Sequence, residues 1–445
     1  MSLTLRGPRL PLLPTLRVIV NPIGVYQEWS ARYGDPFLAK LPSGLLAITG
    51  NPEGIKEFFT ADPNIFVPNT HTLIEPLLGT YSLLLLAGER HKRERQLLIP
   101  TFHGERMRSY GKLMQEITHR AMEGVRPGDQ VLGLHLTQNI SMEIIIRAVF
   151  GVEEAERVRS FVVAISDLTT SYGPVLAMWK STRRSFAGLG PWDRFQERLA
   201  SFNVMLMDQI QRRRASNAPG EDILSLLLSV RDEDGQPMTD EQIKDELRTF
   251  LLAGHETSAI TMAWVLQWLH LYPEVREKLA QELAPLGSQP EAEKLARLPY
   301  LSAVVDETLR MCPVFPLTPR RLIAPFTLLG HQLPPGMGVA AAITLVHNNP
   351  TLYPEPQRFR PERFLERKYS PFEFIPFGGG ARRCIGMAFA NYEIKIVVGT
   401  LMAAYRFSLE NPRPAKVVRR NLTLGPNTPI PMRYEGEARN VAAAA

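Results

Sequence analysis

A glycine-rich loop near the C-terminus presents one of the two cysteines of this 445-residue chain. The loop reads Phe377-Gly378-Gly379-Gly380-Ala381-Arg382-Arg383-Cys384-Ile385-Gly386 and runs into an apolar segment, 387–404, that is typical of a helix. Glycines permit backbone conformations and a close approach that a side chain would prevent. Cationic neighbours and a helix N-terminus lower a thiol pKa. The pattern predicts an accessible thiolate at Cys384 beside which a flat ligand could lie, although a small buried cysteine after a glycine turn is the alternative.

A second group of residues able to do chemistry lies in the middle of a long apolar segment. Thr239 and Gln242 form a capping-box pattern and Pro273 marks an end, so about 30 residues, or some 45 Å, read as one helix crossing the core. Within it, residues 253–258 read Ala-Gly-His-Glu-Thr-Ser. A glycine inside a helix costs roughly 1 kcal/mol relative to alanine. Such an inconsistency often marks function, but a helix bend with back-bonded hydroxyls explains these residues equally well by themselves.

Three charged patterns flank these two segments. His91 and Arg95 are four residues apart and share a helical face, a pattern that by itself favours a solvated charged helix. Glu307 and Arg310 form a helical i,i+3 pair, and Arg363 lies in the run Phe-Arg-Pro-Glu-Arg-Phe at 359–364. An exposed pair of this kind contributes only a few tenths of a kcal/mol. Each pattern alone is therefore weak evidence for a function. The order of the patterns along the chain, relative to the cysteine loop, is the stronger evidence.

The loop and the motifs before it together resemble one protein family. Phe377, Gly380, Arg382, Cys384 and Gly386 match the cysteine-ligand signature of the cytochrome P450 superfamily, and the other motifs follow in the order that this family has. The resemblance spans roughly residues 20–435 and is greatest to soluble bacterial members that oxidise fatty acids or terpenes. It implies a mainly α-helical fold with a minor β-rich portion, in which haem b (iron protoporphyrin IX) lies between the long helix and the cysteine loop. We expect a single domain over 1–445, with an N-terminal tail of about 1–20 and an alanine tail at 442–445.

The resemblance also assigns roles to individual residues. Cys384 would be the axial thiolate ligand of the iron, and Glu256 and Thr257 would relay protons to bound dioxygen. The residues that would surround the haem or its propionates are His91, Arg95, Ala253, Gly254, Arg320, Phe377, Gly378, Arg382 and Gly386, with Arg321 as a rival to Arg320. A buried structural triad would comprise Glu307, Arg310 and Arg363. The candidate substrate-pocket residues are Phe66, Leu84, Val314, Phe315 and Leu317.

The activity implied by this resemblance is monooxygenation of a small apolar substrate such as a fatty acid, an alkane or a terpenoid. Electrons from NAD(P)H would come through a separate ferredoxin or flavodoxin and its reductase, since the sequence contains no flavin or iron–sulfur motif. Arg90, Arg93 and Arg383 would help to dock an acidic ferredoxin. Two alternatives remain: a haem-thiolate peroxygenase or isomerase, whose members tend to lose the acid–alcohol pair, and a non-catalytic haem-based gas sensor.

The composition limits the other classes of function. The net charge is +6 with a pI of about 9.3, but the basic residues are scattered and form no aromatic-rich stripe for nucleic acid. The two cysteines, Cys312 and Cys384, are far apart and form no CxxC pair, which argues against disulfides and zinc and favours a reducing compartment. Residues 1–20 contain arginines and prolines, so we expect no transmembrane anchor and a cytoplasmic location.

Hydrophobic periodicity predicts the elements around these motifs. Helices are predicted over 22–33, 137–150, 194–214 and 273–283. A hairpin is predicted from 36–41 and 45–49, and strand-like runs cover 326–329 and 339–345. Residues 65–86 are predicted to be mostly loop with short helices.

Overall fold

Helices surround one long central helix, and the strands gather to one side of it. The computed structural model describes residues 5–8, 17–18, 21–41, 44–69, 71–102, 106–216, 220–420 and 422–438, without the side chains of residues 71, 72, 106, 174 and 178. The alanine tail at 442–445 lies outside the described residues, as do most residues of the predicted tail 1–20.

The helical part contains elements that range from one turn to nine turns. Its α-helices are α1 Pro22–Tyr33, α2 Pro52–Thr60, α3 His71–Leu78, α4 Gly88–Leu98, α5 Arg106–Arg120, α6 Gly133–Phe150, α7 Ala155–Ser171, α8 Pro174–Met178, α9 Pro191–Ala215, α10 Ile223–Ser229, α11 Asp240–Leu271, α12 Pro273–Leu283, α13 Ala292–Ala296, α14 Pro299–Met311, α15 Ile343–Val346, α16 Arg363–Glu366 and α17 Met387–Ala404. Short 3₁₀ turns occur at Pro63–Ile65, Ile99–Phe102, Lys180–Thr182, Ala284–Leu286 and Gly380–Arg382.

The strands form one larger sheet and three smaller ones. They are β1 Phe37–Leu41, β2 Gly44–Thr49, β3 Phe66–Pro68, β4 Gln130–Leu132, β5 Thr318–Leu322, β6 Phe326–Leu328, β7 His331–Leu333, β8 Gly338–Ala341, β9 Tyr405–Leu409, β10 Val417–Arg420, β11 Thr423–Pro426 and β12 Pro431–Glu437. The five-stranded sheet has the order β1-β2-β8-β5-β3, in which only β2 and β8 are parallel. The others are the sheet β4-β12-β9 and the ribbons β6-β7 and β10-β11.

The central helix α11 is fixed at both ends by local sequence. The Thr239 hydroxyl accepts from the Gln242 N–H at 3.3 Å while the Gln242 side chain accepts from the Thr239 N–H at 2.8 Å, which satisfies two of the free donors of the first turn. Pro273 begins the next helix. Between these ends α11 packs against α6, α14 and α17 in the largest hydrophobic core. This core therefore positions the residues at 253–258.

Most predicted elements agree with the structure, and one is wrong in part. The hairpin pairs Phe37 with Ile48 in antiparallel register, although its turn residues 42 and 43 lie outside the described residues. The run 339–345 is a strand only as far as Ala341, after which 343–346 form a helical turn. A short, fully buried apolar run has no amphipathic period that would separate strand from helix. Helix α17 is long and apolar enough to span a membrane, but more than half of it is buried inside the fold, as expected of a core helix.

Candidate active site

The cysteine loop has a shape that side chains at its glycines would not allow. Gly378 and Gly380 have φ of 66° and 63°, a region that L-residues rarely occupy. A Cβ at Gly380 would lie 2.4 Å from the Phe59 carbonyl oxygen. The Cys384 N–H donates to the Phe377 carbonyl at 3.0 Å and so closes the loop. The loop therefore packs tightly on α2 and directs Cys384 away from that contact.

The Cys384 thiol is enclosed by protein and yet accessible. Its side chain has substantial solvent-exposed surface, while burial of its surroundings raises its pKa, an effect that the Gly386 N–H and the charges of Arg95 and Arg383 only partly offset. An enclosed side chain with free surface lies at the floor of a cavity. The prediction that the thiol pKa is lowered is wrong, because burial has the larger effect. The arginines and the helix N-terminus do act in the predicted direction.

Four basic side chains gather beside this loop. His91 and Arg320 are 6% and 5% exposed. Arg320 donates to the Gly379 carbonyl at 2.9 Å and lies over the ring of Phe58, 4.7 Å from its centre. Arg382 donates to the Leu86 carbonyl, in the segment that precedes α4. Arg95, on the same face of α4 as His91, is close enough to Cys384 for the two charges to interact.

The electrostatics of this basic cluster, which comprises His91, Arg95, Arg320 and Arg382, fit an anion. Burial, followed by repulsion among the arginines, lowers the pKa of Arg320 and of Arg382 to about 10 each. Burial and the same arginines lower the pKa of His91 to about 4, so its ring is neutral. Within the described ranges no carboxylate forms an ion pair with these arginines. Buried cations without a counter-ion are costly, and a bound dianion would compensate them.

The alternation of β5 decides between the two rival arginines. Arg320 points into the basic cluster, whereas its neighbour Arg321 is exposed. Successive side chains of a strand face opposite sides. Arg320 is therefore the residue positioned to meet a ligand.

The central helix opens at the segment that the sequence singles out. Residues 243–251 and 258–269 are buried, but 252–257 keep accessible surface, and Ala253 is the most exposed of them. The Thr257 hydroxyl donates to the Ala253 carbonyl at 2.7 Å, which leaves its oxygen free to accept. Burial raises the pKa of Glu256, and the charge of Arg420 opposes this. The segment thus presents a proton-holding carboxyl and a hydroxyl acceptor to a cavity.

Gly254, which was expected beside the haem, lies on the side of α11 that faces α6. A Cβ at this position would come within 2.8 Å of the Ile145 Cδ1 on α6. The glycine therefore permits the close packing of α11 on α6, whereas Ala253 is the small residue with the larger exposed surface.

The predicted pocket residues divide between cavity and core. Leu84 and Phe315 are 45% and 41% exposed. Val314 is buried in the main core. Leu317 is partly buried and packs against the hydrophobic cluster on one face of the larger sheet. Phe66 is wrong as a pocket residue, because it is 2% exposed in the core on the other face of that sheet. The centre of its ring lies 5.5 Å from the guanidinium carbon of Arg320.

The structure brings the three members of the proposed triad together. Arg310 donates to both oxygens of Glu307 at 2.7 and 2.8 Å, and the Arg363 Nε donates to one of them at 3.1 Å. Glu307 and Arg310 are fully buried. The triad joins α14 to the segment around α16.

The sequence analysis did not identify His347, which links this triad to the cysteine loop. Arg310 donates to the His347 carbonyl at 2.9 Å, and the His347 Nε2 accepts from the Ile375 N–H at 2.9 Å. The Ile375 carbonyl in turn accepts from the Gly378 N–H at 3.0 Å. Burial, followed by the charge of Arg310, lowers the pKa of His347 to about 3 and keeps the ring neutral as an acceptor. An isolated histidine in the sequence carries no signal for such a bridge.

Two buried carboxylates of α11 anchor the segment that carries Leu84. Asp245 accepts from the Tyr81 N–H at 3.0 Å, and Glu246 accepts from the Leu83 N–H at 2.7 Å. The sequence analysis did not single out these residues either, because charged residues near a helix N-terminus are usually solvated. They hold one wall of the cavity against the central helix.

Glu393 connects α17 with the central helix next to Thr257. It is fully buried, accepts from the Ser141 hydroxyl at 2.6 Å and is also hydrogen-bonded by Ser258. Burial raises its pKa to about 7. Glu393 lies about two turns after the start of α17, so this contact ties the helix that follows the cysteine loop to the open segment of α11.

The residues present fit a flat, dianionic group held by sulfur. Cys384 is accessible at the floor of the cavity, the basic cluster stands at its side, and nothing among the described residues lies within 4 Å of where a Gly386 Cβ would be. The open segment of α11 would then face the group from the side opposite to the sulfur, as the resemblance implies. Haem has this shape and charge, with its two propionates as the anionic groups.

Comparisons with known proteins give the family. The family model described as "Cytochrome P450" matches residues 6–430. The chain is 32% identical over 411 residues to "Putative cytochrome P450 138" of Mycobacterium tuberculosis, covering 91% of this chain and 89% of the relative. It is 30% identical over 433 residues to "Putative cytochrome P450 135A1" of the same species, covering 94% and 92%.

A solved structure has the same fold. The cyanobacterial protein described as "Retinoic acid bound cyanobacterial CYP120A1" superimposes with a TM-score of 0.85 at 24% identity, over 98% of this chain and all of that one. Its likeness confirms the mainly α fold with minor β sheets. The chain belongs to the cytochrome P450 family and is therefore a haem-thiolate monooxygenase with iron protoporphyrin IX as its cofactor.

Proposed function

We propose that this enzyme inserts one oxygen atom of dioxygen into a C–H bond of a small apolar molecule such as a fatty acid, an alkane or a terpenoid. The observation that carries this proposal is the enclosed but accessible Cys384 thiol beside Arg95, Arg320 and Arg382, none of which forms an ion pair with a carboxylate of the described residues. Leu84 and Phe315, whose side chains are exposed, would supply apolar surface to the substrate cavity. Pockets lined in this way favour apolar ligands over sugars or nucleotides.

The haem would be held by groups at its centre and at its edge. Cys384 would ligate the iron, and Arg95, Arg320 and Arg382 would donate charge-assisted hydrogen bonds to the propionates, with the neutral His91 ring as a further donor. Gly378, Gly386 and Phe377 would line the sulfur side. A thiolate-ligated haem supplies the activation of dioxygen.

The residues of the open α11 segment would manage protons. Glu256, whose pKa burial raises, holds a proton more readily than an exposed carboxylate and would therefore pass one on as a general acid. The Thr257 hydroxyl donates to the Ala253 carbonyl, and its oxygen would accept a hydrogen bond from an ordered water that carries protons into the site. Glu307, Arg310 and Arg363 would have a structural role.

Electrons would come from NAD(P)H through a separate ferredoxin or flavodoxin and its reductase. Arg383 is exposed next to the cysteine loop and is the basic residue best placed to meet an acidic partner. Arg90 lies over the Tyr81 ring, and Arg93 is already bound to Asp232 at 2.5 Å. We expect Arg383→Glu to slow electron transfer and to reduce its salt dependence, and unchanged values in stopped-flow reduction would remove Arg383 from this role. We also propose a single domain over the whole chain and a cytoplasmic location.

The decisive experiment is the absorption spectrum of the reduced, carbon-monoxide-bound holoprotein, because the position of its band reports thiolate ligation. Cys384→Ser should abolish the thiolate band, whereas Cys312→Ser should leave it in place, since Cys312 is buried in the main core. A thiolate band that persists in the Cys384 variant would refute the ligand assignment.

Two other functions make different predictions in the same preparation. A peroxygenase or isomerase would form product with peroxide, or without any oxidant, but never with NADPH and reductases. The retained pair of Glu256 and Thr257 favours the monooxygenase. A gas sensor would bind oxygen without turnover of any substrate under air.

A further inference from the structure

The ribbon β10-β11 forms part of the surroundings of the open α11 segment. Arg420 pairs with Thr423 across the ribbon, and β11 lies against the central helix. The Leu424 N–H donates to the Val314 carbonyl at 2.7 Å, next to the exposed Phe315. The ribbon is thus attached both to the central helix and to the segment that supplies apolar cavity residues.

One arginine of this ribbon points towards the proton-handling residues. A Cβ at Gly425 would lie 2.7 Å from the Arg420 Cδ and 3.3 Å from the Ile260 Cδ1. Gly425 therefore leaves room for the Arg420 stem to pass between the ribbon and α11. Ile260 lies four residues after Glu256, on the same face of the helix. The stem of Arg420 consequently runs along the helix face that carries Glu256.

The Arg420 guanidinium has more donors than the protein uses. Its Nη1 makes one long contact of 3.5 Å with the Pro426 carbonyl, and its buried Nε finds no acceptor among the described residues. No carboxylate of those residues, Glu256 included, forms an ion pair with it. A guanidinium offers five N–H donors in a fork that matches a carboxylate. Buried donors without partners are rare in proteins.

The neighbouring arginine faces away. Arg419 interacts with Tyr26 of α1. Burial raises the pKa of Tyr26 to about 12, and the charge of Arg419 partly opposes this effect. Alternation along the strand puts the two guanidinium groups on opposite faces of the ribbon. Arg419 is therefore a control of equal charge within the same strand.

We infer that Arg420 binds the carboxylate of the substrate, so that the substrate of this enzyme is an apolar carboxylic acid rather than a hydrocarbon or an alcohol. This inference rests on the proposed function, because it assigns a polar anchor within the same cavity. A carboxylate bound at the ribbon would fix one end of the molecule, and its apolar body would lie along Leu84 and Phe315. The end of the substrate remote from the carboxylate would be the part free to reach the reaction centre.

The test compares acids with matched alcohols on the holoprotein. Dodecanoic, farnesoic and abietic acids and the primary alcohols of the same skeletons would be titrated by the shift of the haem absorption band. Equilibrium dialysis with radiolabelled dodecanoic acid gives a readout that does not depend on the haem. At least one acid should bind about tenfold or more tightly than its alcohol, since a hydrogen bond to a charged group contributes enough for a factor of about 10 to 100 in Kd.

Three variants decide which residue is responsible. Arg420→Gln should weaken the preferred acid about 10- to 100-fold and change its alcohol less than about threefold. Arg420→Lys should restore part of the loss, and Arg419→Gln should keep the preference for the acid. Lack of a preference in the native protein, including lack of binding by every acid, overturns the inference.

Further outcomes separate the possible failures. Equal weakening of acid and alcohol by Arg420→Gln would make Arg420 a counter-ion of Glu256 and would overturn the inference. A loss of preference in Arg419→Gln but not in Arg420→Gln would do the same. A protein without the thiolate band refutes the proposed function, whereas a haem-thiolate protein that prefers alcohols refutes only the carboxylate anchor.

Discussion

Two glycines of the cysteine loop, six residues apart, should respond to the same substitution in opposite ways. Gly380 has φ of 63°, and a Cβ there would lie 2.4 Å from the backbone oxygen of Phe59. That oxygen belongs to the end of α2 and cannot rotate away as the tip of a side chain could. Gly386 has φ of −83°, and nothing among the described residues lies within 4 Å of its Cβ direction.

The magnitude follows from three terms for Gly380→Ala. A left-handed conformation costs a non-glycine residue about 1–2 kcal/mol. Overpacking against fixed atoms costs about 1–3 kcal/mol. The smaller conformational freedom of alanine in the unfolded chain returns about 0.4–1 kcal/mol. The variant should therefore lose about 1–5 kcal/mol of unfolding free energy, against a total of about 5–15 kcal/mol for a typical folded protein.

The assay is urea unfolding followed by the fluorescence of the five tryptophans, with the haem band recorded in parallel. In the haem-free chain, Gly386→Ala should leave the midpoint unchanged or raise it slightly, since only the unfolded-state term applies there. Gly380→Ala should lower the midpoint and also lose haem more readily, because the loop carries Cys384. The reasoning fails if both variants shift the midpoint equally, or if Gly380→Ala is as stable as the native protein.

Three further perturbations test the rest of the site. Arg310→Leu leaves the buried carboxylate of Glu307 without its main partner and should lower the free energy of unfolding by about 3–5 kcal/mol, measured by urea. Arg358→Leu, at an exposed ion pair, should lower it by less than about 1 kcal/mol. Equal losses in the two variants would contradict the burial argument. Thr257→Val should lower the product formed per dioxygen consumed, while Thr261→Val, one turn further on, should not; unchanged coupling in both would remove the hydroxyl from proton handling. Burial raises the pKa of the Glu393 carboxyl from 4.5 to about 7, so between these pH values the native state binds more protons than the unfolded state. The free energy of unfolding should therefore fall by up to about 3 kcal/mol as the pH rises from 4.5 to about 7. Glu393→Gln should flatten this pH dependence in urea titrations, and an unaltered slope would refute the assignment.

Structural features that depend on residues close together in the sequence could be predicted. The capping box of Thr239 and Gln242 gives the start of α11, and Pro273 gives its end, because both act on backbone groups within one turn. The glycines around Cys384 give the loop, since positive φ is a local property. The basic character of the haem edge was also predictable, because the family motif carries Arg95 and Arg382.

Features that depend on contacts distant in sequence could not be predicted. Arg382 donates to the Leu86 carbonyl, 296 positions away in the sequence, and only the fold shows this contact. Phe66 and Gly254 have the residue types expected of a pocket, but each faces a packing partner, Arg320 in one case and Ile145 in the other. The pKa of Cys384 depends on the balance of burial against charge, which the sequence does not contain.

The basic cluster explains why the site and the stability of the fold are coupled. Arg95, Arg320 and Arg382 are each partly desolvated and lie close enough to affect one another, since the charge of Arg382 lowers the pKa of Arg320 and that of Arg95 lowers the pKa of Arg382. Such an arrangement destabilises the free chain, because like charges in a medium of low dielectric constant repel one another strongly. A dianion bound at their centre turns the repulsion into attraction and stabilises the folded state by mass action, by about 4 kcal/mol when the free ligand is at a thousand times its Kd. We therefore expect the residues that weaken the free chain to be the ones that strengthen cofactor binding. The Glu307–Arg310–Arg363 triad is connected to the cysteine loop through His347 and the Ile375 N–H, so it should help to keep these arginines in position.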